Sequence, residues 1–331
     1  MQKRNTWIFL GLIIGLTIVL VSFLSQPHTP KDFSISIFSI VEIEPIAQLR
    51  KGFREEFESS QFAKEHKVHI TEENSQGDSG LINQIADKIV TSRPNLVYVL
   101  GTPAAQAIQK RAPDILIVQG AVTDPVAAGL AQSWQGSGRK YIATSDLPPI
   151  DKQVALIRDL TPKASRIGII YNTGEANSVA VVSRLRKYIA QAKLNWSVVE
   201  RSVGNSSDVA RAVETLAGKV DVIYLPPDNT VHSAMAVVGK ITRENKIPFY
   251  ATVIDALSQG AISTLSLDFY KLGKESARLA LSVLEGQDPA TLPIKTNENP
   301  TITINAEVAK SYSIDISGFR NRKNVKFVDE K

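Results

Sequence analysis

The chain alternates short runs rich in β-branched and aromatic residues with longer stretches in which apolar residues recur every three or four positions. The first pattern is that of buried strands, the second that of amphipathic helices. Strands are predicted at Phe33–Ser39, Val68–Thr71, Leu96–Leu100, Ile115–Gln119, Tyr141–Ala143, Arg166–Tyr171, Trp196–Glu200, Val220–Leu225, Phe249–Thr252 and Ile262–Ser266. Helices are predicted near 46–59, 79–91, 103–110, 151–160, 176–192, 207–217, 229–245 and 271–285. Strand and helix in strict turn, with short loops, imply an α/β fold of parallel sheets covered by helices on both faces.

The alternation runs twice, from Phe33 to about Tyr141 and from Arg166 to about Thr252. Between the halves lies Ala143-Thr-Ser-Asp-Leu-Pro-Pro-Ile150, a proline-containing crossing segment. The strand Ile262–Ser266 and helix 271–285 follow a second unit that already looks complete, so the chain is expected to cross back to the first. The expected division is an N-terminal signal or anchor helix over 1–25 and a linker over 26–32. Lobe 1 takes 33–144 with 253–290, lobe 2 takes 145–252 with 291–310, and a basic tail fills 311–331. Two lobes joined by more than one crossover are built to hinge around a cleft.

Composition narrows the class. Of 331 residues 43% are apolar and 21% charged, so the chain folds, and its length suits two domains of ordinary size. It has no cysteine, which excludes disulfides, thiolate metal sites, cysteine nucleophiles and lipidation on cysteine. Lys3 and Arg4 precede the uncharged run Trp7–Leu24, about the length at which a helix spans a bilayer. The charge asymmetry places the N-terminus in the cytoplasm and the rest outside, whether the run is cleaved as a signal or kept as an anchor. Part of the +5 net charge lies in the tail Arg320–Lys326, expected to be a solvated end. An exported chain without an aromatic-plus-basic motif is not expected to bind nucleic acid.

Chemistry concentrates where strands end. In open α/β sheets ligands bind at the carboxyl edge. Gly101-Thr-Pro-Ala-Ala-Gln106 offers a tight turn and a helix start whose free N–H groups suit an anion, though Thr102 reads equally well as a plain cap. Asp124 before Pro125 reads locally as a turn former. Tyr171-Asn-Thr-Gly-Glu-Ala-Asn-Ser178 carries more polar groups than capping by Glu175 or Ser178 requires. After Asp221-Val-Ile-Tyr-Leu-Pro-Pro227 come Asp228, Asn229 and Thr230; Asp228 is either a helix cap or the partner of a ligand cation. Together these groups suit a zwitterion, with Tyr171, Phe269 and Tyr270 as an apolar wall. Phosphate-binding glycine fingerprints and a nucleophile elbow are absent. His66 and His69 are expected in solvent; His232, near a helix start, is read as solvated first and as cleft-lining second. No nucleophile–base pair is found, so the chain is not expected to be an enzyme and needs no cofactor or metal.

Thr102-Pro-Ala-Ala-Gln106, Val122-Thr-Asp-Pro125, Thr144-Ser-Asp146, Tyr171-Asn172 with Glu175-Ala-Asn-Ser178, Pro227-Asp-Asn-Thr-Val231 and Phe269-Tyr-Lys-Leu-Gly273 together resemble the ABC-transporter substrate-binding protein family that includes tryptophan- and tyrosine-binding members. The resemblance covers Phe33–Ala306. It implies a type I periplasmic-binding fold of two Rossmann-like lobes with a three-segment hinge. It also implies that Thr102, Thr123, Asp124, Ser145, Tyr171, Asn177, Ser178, Asp228, Asn229 and Tyr270 face the cleft. Glu44 stands where the family often carries a histidine over the ligand. On that footing Thr102 and Ser178 are expected to hold a carboxylate, Asp228 an ammonium, and Tyr171 or Tyr270 to pack on the ligand side chain. The expected role is a monomeric extracytoplasmic protein that delivers an amino-acid-like, aromatic-like ligand to an ABC permease. The same module, membrane-anchored by Trp7–Leu24, is alternatively a ligand sensor in a signalling system.

Overall fold

The computed structural model describes residues 31–296 and 300–328. The N-terminal run Trp7–Leu24 and the linker after it lie outside these residues. Among the described residues no helix is long and apolar enough to cross a membrane.

Two mostly parallel sheets stand side by side. The first is built from β1 (Lys31–Ser39), β2 (His66–Asn74), β3 (Leu96–Leu100), β4 (Leu116–Val122) and β5 (Tyr141–Ser145). The second contains β6 (Arg166–Asn172), β7 (Ser197–Val203), β8 (Val222–Leu225), β9 (Phe249–Ala251) and β10 (Ser263–Ser266). Three later strands complete them: β11 (Lys295–Thr296), β12 (Thr301–Asn305) and β13 (Val325–Val328). The first sheet runs β11-β5-β4-β3-β1-β2, the second β13-β12-β10-β9-β8-β6-β7, and within them only the β10–β12 pair is antiparallel. The helices that matter for the cleft are α1 (Glu44–Glu58), α2 (Gln61–Glu65), α3 (Ser79–Ser92), α4 (Thr102–Arg111), α5 (Ile150–Leu160), α6 (Ala176–Gln191), α7 (Val209–Glu214), α8 (Asn229–His232), α9 (Met235–Glu244) and α10 (Phe269–Leu284). Apolar side chains from both faces of each sheet meet these helices, giving each sheet a core on either side.

The placement of Ile262–Ser266 differs from the expectation. The strand does not return to the first lobe; Thr264 pairs with Ala251 of β9 and Leu265 with Ile302 of β12, inside the second sheet. The reason is backbone satisfaction: β9 pairs with β8 on one side only, and its other row of N–H and C=O groups needs a strand. The return begins after Ser266, where α10 packs along α1. Residues 295–296, expected in the second lobe, pair with β5 and close the first sheet's edge. The chain therefore passes between the sheets after β5, after β10 and after β11.

The tail is docked by its backbone and apolar side chains, while residues 320–324 and Lys326 stay exposed. Val325–Val328 adds a parallel edge strand to β12, Phe319 is buried, and Arg322 pairs with Asp159. The predicted helix 229–245 is two helices, α8 and α9, because the chain leaves helical geometry at Ala234.

The α1–α10 contact sets the roof of the cleft. A Cβ on Gly52 would collide with the Tyr270 carbonyl, and one on Gly273 with the Leu49 carbonyl. The paired glycines let the two backbones approach closely, and this fixes where the first turn of α10, with Phe269, meets the cleft.

Candidate functional site

The carboxyl ends of the strands of both sheets converge on one small cavity. Thr102 follows β3, Thr123 follows β4, and Asp146 follows β5 at the first crossing. Asn177 opens α6 after β6; Pro227, Asp228, Asn229 and His232 follow β8; Val253 follows β9. Ile43, Pro45 and Ile46 of the α1 entry and Phe269 of α10 supply apolar surface. The cavity measures ≈ 50 Å³, against the ~300–1,000 Å³ usual for small-molecule sites. The lobes are drawn together around it. Two larger depressions of ≈ 700 and ≈ 670 Å³ lie at the amino ends of the strands, away from these groups.

Gly101 shapes the first wall. It sits at φ 128°, and Ile40 occupies the space a Cβ would need, so the turn from β3 into α4 demands glycine. Pro103 follows in the first turn, and the opening N–H groups of α4 lie beside buried Thr102. Thr123 donates its hydroxyl to Asp146 Oδ1 at 2.9 Å. Asp146 keeps part of its surface, but its carboxyl lies deep among cleft side chains, and burial pushes it up to about 7 against the Thr123 hydroxyl.

The second wall is a web around two acids. Glu175 is 5% exposed and accepts from the Asn229 and Thr230 backbone N–H groups, both of those side chains, and Asn177 Nδ2. Asp228 is 1% exposed; its Oδ1 accepts from Val231 N at 2.9 Å and its Oδ2 from Asn172 N at 2.6 Å. Burial, then the neighbouring Glu175 charge, raises Asp228 to about 7. His232, expected in solvent, is 8% exposed and lines the cavity, and burial lowers it to about 4. Among the described residues its Nε2 and the Oδ1 of Asn177 have no hydrogen-bond partner.

The expected site residues divide. Thr102, Thr123, Asn177, Asp228 and Asn229 line the cavity. Asp124 does not: it is buried beside it, accepts from Ala127 N, and receives Arg184 Nη2 of α6 at 2.5 Å, an ion pair across the two lobes. Ser145 bridges the crossing segment, donating to the Thr123 carbonyl and accepting from Leu147 N. Ser178 does not line the cavity; its hydroxyl is directed to the Asn172 and Glu175 carbonyls and lies beside the Asp228 carboxyl, which it helps hold down.

Tyr171 turns away because strand residues alternate faces; it shares a core with Ile167 and Ile169, and its hydroxyl donates to Glu200 at 2.9 Å. Tyr270 donates to Glu55 of α1, under Lys274, and Phe269 takes the cleft position instead. Glu44 does not line the cavity: it is exposed, bound by Gln48 at 2.6 Å, and near enough to Asp255 to help raise that acid, after burial. Asp228 proves to be the cap and a cleft group at once. Asp146 and His232 were not among the expected site residues; the strand-end position of Asp146 was the available signal.

Comparison with known proteins gives the lineage. Residues 34–319 match the family described as ABC transporter substrate binding protein, and the chain belongs to that family. A tyrosine-binding protein of Clostridioides difficile is 38% identical over 301 residues, covering 91% of this chain and 87% of its own. An ABC domain from Streptococcus pneumoniae in complex with L-Trp matches at TM-score 0.83 and 26% identity, over 89% of this chain and 100% of its own. A ligand-free, open substrate binding protein with adhesive properties from Clostridium difficile matches at TM-score 0.67 and 33% identity, over 90% and 100%. The architecture is that of type I periplasmic binding proteins, and the family is one of solute-binding proteins, not enzymes.

Proposed function

We propose that this chain is the extracytoplasmic binding component of an ABC importer for an aromatic amino acid, tyrosine or tryptophan. It captures the ligand by closing its lobes and passes it to a membrane permease. The observation that carries the reading is the composition of the cavity. The start of α4 at Thr102 offers N–H groups to a carboxylate, Asp146 and Asp228 offer carboxyls to an ammonium, and Ile43, Ile46, Val253 and Phe269 offer an apolar wall to a ring. Kinship to a tyrosine-binding protein and to an L-Trp complex supports the ligand class. The cavity is too small for such a ligand as it stands, so binding proceeds through an opened form that recloses. In this proposal the run Trp7–Leu24 directs the chain out of the cytoplasm and, where uncleaved, tethers it to the membrane.

The test is thermal denaturation of the full-length chain with each of the common amino acids. Tyrosine or tryptophan is expected to stabilise most, by about 2.7 kcal/mol at a hundred times its dissociation constant. No shift with any amino acid would remove the reading.

A further inference from the structure

Two carboxyls reach the cleft from different parts of the molecule, Asp146 from the crossing after β5 and Asp228 from the end of β8. Among the described residues lining the cavity there is no lysine or arginine. Asn177 adds a neutral acceptor. Its Nδ2 is committed to the Pro227 carbonyl at 2.9 Å and to Glu175, which leaves Oδ1, unpartnered and on a residue only 4% exposed, as an acceptor in the cavity wall. His232 Nε2 is the second unpartnered atom of the wall, on a residue 8% exposed.

An ammonium brings three donors and a full charge, matching two carboxyls and an amide oxygen. A carboxylate finds no full positive charge here. It meets the start of α4, worth roughly half a charge, and the hydroxyls of Thr102 and Thr123, the latter already turned to Asp146.

We propose that the cleft is an amine site first and a carboxylate site second: the ligand ammonium bridges Asp146 of the crossing and Asp228 of the second lobe, so primary arylalkylamines without a carboxylate are ligands too. The proposal rests on the amino-acid reading above and deepens it. The titratable groups beside the bridge are Glu175 and His232, both next to Asp228; Asp255 and Glu44 lie outside the cavity lining, and Arg184 is held by Asp124. Before the ligand enters, burial keeps both bridge acids partly protonated near neutrality. The ammonium therefore displaces protons, and affinity rises with pH through about 7, by at most roughly tenfold per pH unit for each proton displaced.

The experiment is titration calorimetry of the full-length chain with L-tyrosine, L-tryptophan, tyramine, tryptamine and 3-(4-hydroxyphenyl)propionate, at pH 6 and pH 8, in two buffers of different ionisation enthalpy. The expected result has three parts. Each amine binds within about tenfold of its amino acid, the acid lacking an amine does not bind, and proton release is seen with wild type but reduced in Asp146→Asn. Amino acids that bind while both amines fail, or an acid that binds as well as tyrosine, would overturn this proposal and leave the transport reading standing. Absence of binding by every compound would overturn both.

Discussion

Strand β8 carries an aspartate just outside each end, and the two behave oppositely. At the amino end, Asp221 is partly open to solvent. Burial acts to raise it, but Arg166 in a two-pronged pair and the Ser165 and Arg166 backbone N–H groups outweigh burial and bring it to about 2. At the carboxyl end, Asp228 is buried beside Glu175 with backbone donors but no cation, and it rises to about 7. Seven positions separate a satisfied structural ion from an acid waiting for a charge. The difference is the supply of a cation: the fold provides one at the outer pole and withholds it at the cleft. Glu175 sharpens the point, since five donors from α6, α8 and their side chains leave it nothing to offer a ligand.

The strongest way to break the contrast is Asp228→Ala. Ligand affinity is expected to fall about 100-fold, the scale of removing one partner of a buried charge pair. The lost cap on α8 costs about 1 kcal/mol of stability. Calorimetry and thermal denaturation read the two separately, and unchanged affinity would remove Asp228 from the site.

Asp146→Asn is expected to weaken binding by roughly tenfold yet raise the melting temperature of the unliganded protein at pH 8. The sign follows from its position at about 7 in the fold against about 3.9 unfolded. The native state binds the proton more tightly, so the cost of keeping the group ionised is full above pH 7 and gone below pH 4. The gain from the substitution should disappear on the same course; an equal gain at pH 4 would mean its origin is not ionisation.

Asp221→Ala should do the reverse: about 1–2 kcal/mol less stable at neutral pH, with ligand affinity unchanged. Because its folded value is depressed to about 2, the stabilisation is present above about 4 and lost as pH falls through about 2, so variant and wild type should converge there. A loss of affinity would show the outer pole coupled to the cleft. The smallest effect is expected of Arg184→Ala. Its side chain is 44% exposed, so the pair with Asp124 contributes less than about 1 kcal/mol to stability. Its signature is a larger radius of gyration for the unliganded protein, from a population with opened lobes.

Much of the architecture was legible from residues alone. The run Leu96–Leu100 and the runs at Arg166 and Phe249 are strands because short, mostly apolar segments rich in β-branched and aromatic residues suit the middle of a parallel sheet. Strand-end polar groups drew attention to Thr102 and Asp228, each with a plain cap as the rival reading, and the family resemblance added Thr123; all three line the cavity. The fate of Tyr171 was less accessible, because one step along a pleated strand exchanges core for cleft. The partnership of β9, β10 and β12 was invisible too: short strands carry no mark of which sheet edge is free.

The sequence by itself determined that strands and helices alternate, that acids and amides crowd the carboxyl ends of the strands, and that no cysteine chemistry is available. These are local properties, set by side-chain periodicity and residue type. Only the tertiary structure decided how each acid is partnered. Glu175, Asp221 and Asp228 are all strand-end carboxylates; one is saturated by donors, one is paired with arginine, and one faces a cation-free cavity. Burial and partners fix the charge of a carboxyl, and both come from segments distant along the chain.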